Sequence, residues 1–77
     1  MKTAKIKLSS IEAVRKFVDV VREYDCEIDL SSGRYLVDAK SIMGIFSLDL
    51  MKPIELTVHS DDCDKLFDEI KEYIVEE

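Results

Sequence analysis

Glycine and proline are nearly missing from this chain, with two of the first and one of the second in 77 residues. That scarcity excludes a disordered, linker-like polypeptide. Basic residues are in the minority, 11 against 17 acidic ones, which leaves a formal net charge of −6. A nucleic-acid backbone or an anionic membrane surface calls for a basic face, so neither is expected as the main partner. Cysteine occurs only as Cys26 and Cys63, and they form no C-x-x-C pair. No zinc or redox motif results, and free thiols in a reducing cytoplasm are the expectation. Histidine occurs once, at His59. No second imidazole can join it, so neither a metal nor any other cofactor is expected. No apolar run approaches the ~20 residues that span a bilayer. The opening "MKTAKIKL" alternates lysine with apolar residues and lacks the apolar core of a signal peptide.

What is present suits one domain over residues 1–77, with 47% hydrophobic and 36% charged residues. A chain this short buries about 60–65% of its unfolded surface, so every element must feed a modest core. Residues 3–8 alternate, with Ala4, Ile6 and Leu8 on one side and Lys5 and Lys7 on the other, as in a half-buried strand. "SSIE" follows, where Ser9 and Glu12 fit an S-x-x-E capping box. Ile11, Val14, Phe17, Val18 and Val21 then recur at helical spacing, which predicts a helix over about 10–23. "CEIDLSS" and "YLVDA" read as a hairpin over 26–39, with Gly33 at its turn. "AKSIMGIFSLDLM" suits a helix of two or three turns that Pro53 stops. "IELTVHS" is a fourth strand with Ile54, Leu56 and Val58 inward. A last helix carries Asp61, Asp62 and Asp64 at its start, where its dipole favours anions. Its apolar stripe is Cys63, Leu66, Phe67, Ile70, Tyr73 and Ile74. Glu76 and Glu77 oppose the dipole and should fray that end. The order β-α-β-β-α-β-α, with strands wet on one face, predicts an open-faced α+β sandwich: a four-stranded, mainly antiparallel sheet with three helices on one face.

The block "EYDCEIDLSSGRYLVDAKSIMGIFSL", residues 23–48, resembles HPr, the histidine-containing phosphocarrier family of the phosphoenolpyruvate-dependent sugar phosphotransferase system of bacteria. "AKSIMGIFSL" carries the likeness most specifically, being close to the family's K-S-I-M-G-V-M-S-L. The resemblance runs over nearly the whole chain, and the element order is the family's. It implies two phosphorylation sites. The first is a histidine in a motif like G-[LI]-H-A-R-P at the start of the first helix. Here the matching stretch is "LSSIEA", residues 8–13. Ser10 stands for the histidine, Glu12 for the arginine and Ala13 for the proline. An imidazole nitrogen gives a labile phosphoramidate that can be passed on, whereas a serine phosphate is a stable ester. Glu12 would repel the phosphoryl group that an arginine would steady. No catalytic residue is therefore expected there, and the chain is not read as an enzyme. His59 lies on the wet face beside Glu55 and Thr57, without an arginine partner or a glycine-rich turn, and reads as a lone surface histidine.

The second family site is a regulatory serine, and Ser41 matches it. In many low-GC Gram-positive members of the family an ATP-dependent HPr kinase/phosphorylase modifies that serine, and the product serves as corepressor for a LacI-type catabolite regulator. A lost histidine with a kept serine is similar to the Crh branch of the family. At the N-cap of the second helix a phosphate would meet free amides, with Lys40 nearby. Ile42, Met43 and Phe46 would form an apolar patch for a protein partner, and Gly44 would let that partner approach. Read without the resemblance, spacing favours Ser41 as a plain helix cap before core residues. Two further readings stand beside the regulatory module: a phosphocarrier using an unconventional residue, and an unmodified interaction scaffold.

Overall fold

A computed structural model of the chain describes residues 2–60 and 63–75. The alternating stretches become strands β1 (Lys2–Ile6), β2 (Ile28–Ser32), β3 (Tyr35–Asp38) and β4 (Ile54–Val58). They form one antiparallel sheet in the order β1-β4-β2-β3. Ile6, Ile28, Leu30, Ile54, Leu56 and Val58 point to one face and are fully buried or nearly so. Helices α1 (Ile11–Val21), α2 (Ile42–Phe46) and α3 (Asp64–Glu69) cover that face, which gives the expected two-layer α+β architecture. Phe17 of α1 is the largest fully buried side chain. Its ring meets Tyr73 edge-on with centroids 6.1 Å apart, and burial pushes the Tyr73 phenol pKa up.

The β2–β3 hairpin closes on a two-residue loop between the paired Ser32 and Tyr35. Gly33 takes φ +61° at its first position, a backbone conformation that favours glycine and suits the right-handed strand twist.

Several expectations change. The cap of α1 is Ser10, not Ser9: Ser10 Oγ accepts from the Ala13 amide at 3.0 Å. Glu12 then sits one position too early for a capping box and pairs with Lys16 at 3.6 Å instead. Ile11, placed on the core stripe by spacing, is 66% exposed because the first turn of α1 overhangs the packed region. α2 has only five residues and ends at Phe46, well before Pro53. Its end is set by Ser47, whose hydroxyl donates to the Gly44 carbonyl at 2.5 Å. Pro53 instead immediately precedes β4. The last helix breaks at Ile70, and a single 3-10 turn (Lys71–Tyr73) leads the chain back to β1. There Lys7 N–H donates to Tyr73 O and Val75 N–H to Lys5 O, both at 2.8 Å, with Ile6 bridging Ile74. Asp61, Asp62, Glu76 and Glu77 lie outside the described residues.

Candidate functional site

Two serines at helix starts frame the surface in question. Ser10, in extended backbone, ends the connection from β1 and caps α1. That cap depends on Ala13, whose amide is the donor; a proline at 13 would supply none. Glu12 and Glu72 flank Ser10 around a shallow depression of about 240 Å³, where Lys16 is the one cation among the described residues. A phosphoryl group arriving at Ser10 would meet two carboxylates.

Ser41 caps α2, its exposed Oγ accepting from the Gly44 amide at 3.2 Å. Lys40, expected as a cation near Ser41, is half-buried and built into the scaffold. Its ammonium donates to the Tyr24 carbonyl at 2.6 Å, its amide to Asp38 Oδ1 at 2.8 Å, and its carbonyl accepts from Arg22 at 3.4 Å. These bonds tie the end of α1 to the entry of α2 and fix Ser41 in place. Ile42 is half-buried against the core and Ile45 wholly buried, whereas Met43 is 78% exposed and Phe46 40%. Gly44 faces inward: a Cβ there would lie 3.2 Å from Val37 Cβ of β3, so the glycine serves the seating of α2 on its own sheet.

Phe46 continues into a feature that sequence reasoning missed. An apolar groove of about 430 Å³ separates the start of α1 from the segment after α2. Leu8, Ser10 and Ile11 form one wall, and Phe46, Leu50 and Met51 the other. Ile11 and Met51 are strongly exposed there. Helical spacing had assigned Ile11 to the core, and Met51 to the end of a longer second helix that in fact stops at Phe46. The groove joins Ser10 to the patch that begins at Met43, because Phe46 lines it and Met43 and Phe46 are neighbours three residues apart on α2.

His59 lies on the opposite, open face of the sheet. Its Nε2 is 2.7 Å from Asp29 Oδ2, a partner thirty residues away that the sequence did not suggest. Cys26 is half-buried and Cys63 buried, both as free thiols. Among the described residues no cluster of three or more His, Cys, Asp or Glu could hold a metal ion. Among them no helix is long and apolar enough to cross a membrane.

The family profile described as "PTS HPr component phosphorylation site" matches residues 10–76. The chain belongs to the HPr family. The HPr fold is also found in two solved structures. HPr-C-His from Thermoanaerobacter tengcongensis aligns at 24% identity and TM-score 0.78, over 94% of this chain and 89% of that one. Phosphocarrier protein HPr from Bacillus anthracis str. Ames aligns at 24% identity and TM-score 0.69, over 96% and 94%. No curated protein matches. Proteins of this family interact with other proteins of the phosphotransferase system. In this HPr relative Ser10 and Ser41 are both helix caps.

Proposed function

We propose that this HPr-family protein does not carry phosphohistidine and acts in the cytoplasm as a regulatory binding module, switched by phosphorylation of Ser41 and read through the adjacent apolar surface. The observation that carries the reading is the pairing of an exposed Ser41 hydroxyl at the N-cap of α2 with exposed Met43 and Phe46 on the same short helix. A phosphate on Ser41 would accept from the first amides of α2. With only five residues α2 has a short dipole, so local amides would contribute more than the helix as a whole. Lys40, held by the Tyr24 carbonyl, would act by fixing the serine rather than by pairing with the phosphate. At the other site Ser10, Glu12 and Glu72 disfavour a phosphoryl acceptor on grounds of nucleophile and charge. The partners of this reading are an HPr kinase/phosphorylase and a LacI-type catabolite regulator. Both would meet Met43, Phe46 and the groove beyond, with Ile42 supporting the patch from beneath.

The test is intact-mass analysis after incubation with ATP and an HPr kinase/phosphorylase, with Ser41→Ala as control. One added, acid-stable phosphate that the variant lacks is the expected result. An acid-labile phosphate acquired from phosphoenolpyruvate would favour a working phosphocarrier. No phosphate from either donor would favour an unmodified scaffold.

A further inference from the structure

The sheet has two edges, and they are treated differently. The outer edge of β1 is covered at Lys5–Lys7 by residues 73–75 of the same chain. Among the described residues no strand pairs with the outer edge of β3. Unpaired edges invite another strand and are usually blunted. This one instead displays Tyr35 and Leu36, each 67% exposed.

The backbone register of that edge is defined. Ser32 and Tyr35 close the hairpin, and the Ala39 amide donates to Ile28 O at 2.9 Å. Antiparallel ladders alternate, so Tyr35, Val37 and Ala39 bond to β2, while the backbone groups of Leu36 and Asp38 turn outward. The segment reads Arg34-Tyr35-Leu36-Val37-Asp38. Laid antiparallel on itself about Leu36, it places Leu36 against Leu36, Tyr35 against Val37, and Arg34 against Asp38. The outward amide and carbonyl of Leu36 then meet their own equivalents across the two-fold axis, as a symmetric interface requires. Opposite charges meet at both ends. Within one copy Asp38 lies directly across from Asp29 on the open face, where His59 meets Asp29 and the Lys40 amide meets Asp38. Arg34 of a second copy would bring a cation to that pair.

We propose that two copies of this chain associate through β3, antiparallel about Leu36, to make one continuous eight-stranded sheet with Arg34 of each copy facing Asp38 of the other. The seam is short and belongs to the weak class of interface, below about 1,200 Å². It leaves Ser41 and the groove beside α1 outside the contact strands, and it stands whether or not Ser41 is phosphorylated.

Sedimentation equilibrium from about 1 µM to 1 mM brackets weak association. It is run at about 0.15 M salt, so that screening limits repulsion between two acidic copies. A monomer–dimer equilibrium is expected for the wild type. Arg34→Asp and Asp38→Arg, each folded by circular dichroism, should weaken it at least about tenfold by setting like charges opposite at two symmetric positions. The double variant Arg34→Asp/Asp38→Arg should recover it. Hydrogen exchange at the Leu36 amide supplies a backbone readout and should slow as wild-type concentration rises. A chain that stays monomeric throughout, single reversals without effect, a double variant that does not recover, or a Leu36 amide indifferent to concentration would each overturn the proposal.

Discussion

Replacing Gly44 by alanine sets two effects of known size against each other. In an ordinary helix the exchange stabilises by about 1 kcal/mol, because alanine is the better helix former. Here the new methyl would lie 3.2 Å from Val37 Cβ and 3.2 Å from Ser41 Oγ. Val37 Cβ is one bond from the backbone of β3 and cannot yield unless the strand shifts; overpacking of this kind costs about 1–3 kcal/mol. Ser41 Oγ can rotate away, but it then loses its bond from the residue 44 amide, a cap worth about 1 kcal/mol. The sum is a net loss of about 1–3 kcal/mol. In a domain of this size each kcal/mol lowers the melting temperature by about 4–8 °C. Urea unfolding followed by far-ultraviolet circular dichroism should show a lower midpoint at unchanged slope. A variant as stable as the wild type, or more so, would refute the reasoning: α2 would then have room above β3, and Gly44 would be spare.

Ser41→Ala should cost about 1 kcal/mol through loss of the cap while Ser41→Asp stays near wild type, as chemical denaturation would show. Ser10→Ala should cost a similar amount, since its cap bond to Ala13 is of the same kind. The Tyr24 hydroxyl donates to the Glu69 carboxylate, and that bond, with burial adding to it, raises the phenol from 10.0 to about 12. The folded value lies above the unfolded one, so this contribution is complete below about pH 10 and lost as pH rises through about 12. Glu69→Ala should move one tyrosinate absorbance step to lower pH, and a titration identical to wild type would contradict the assignment. Ser10→His with Glu12→Arg and Ala13→Pro should gain an acid-labile phosphate from phosphoenolpyruvate and the donor enzyme of the phosphotransferase system. Ser10→His alone, still beside Glu12 and Glu72, should gain far less.

Elements whose signal is local were legible before any coordinates. The alternation of Ile54, Leu56 and Val58 survives intact as a buried strand face, and the stripe from Val14 to Val21 as a helix face. Gly33 marked the hairpin because its positive φ is a property of the residue itself. The cap of α1 was misplaced by one position because adjacent serines offer the same oxygen, and only the backbone geometry decides between them. The last helix was read as continuous because its apolar spacing does continue. What breaks it at Ile70 is pairing with β1, whose residues lie far back in the sequence. The bond from His59 to Asp29 was invisible for the same reason: strand register, not neighbourhood, brings them together. The site was half legible. The "AKSIMGIFSL" block pointed to Ser41, Met43 and Phe46. The groove needs Ile11 and Met51 side by side, which no periodicity encodes, and the tethering of Lys40 needs the Tyr24 carbonyl sixteen residues away.

The position of β1 has a consequence for synthesis. Its neighbours are β4 and residues 73–75, so β1 is synthesised well before any strand it pairs with. At about 5–20 residues per second it waits on the order of 3–15 s. The β2–β3 hairpin and α2, whose contacts are closer in sequence, can form meanwhile. Through that interval Ala4, Ile6 and Leu8 have no core to enter. Lys2, Lys5 and Lys7 are interleaved with them, which is the kind of charge that keeps an unpaired apolar strand from joining its neighbours on other nascent chains. These lysines, Lys2 among them paired with Asp64 in the folded molecule, thus serve the chain before folding is complete as well as after.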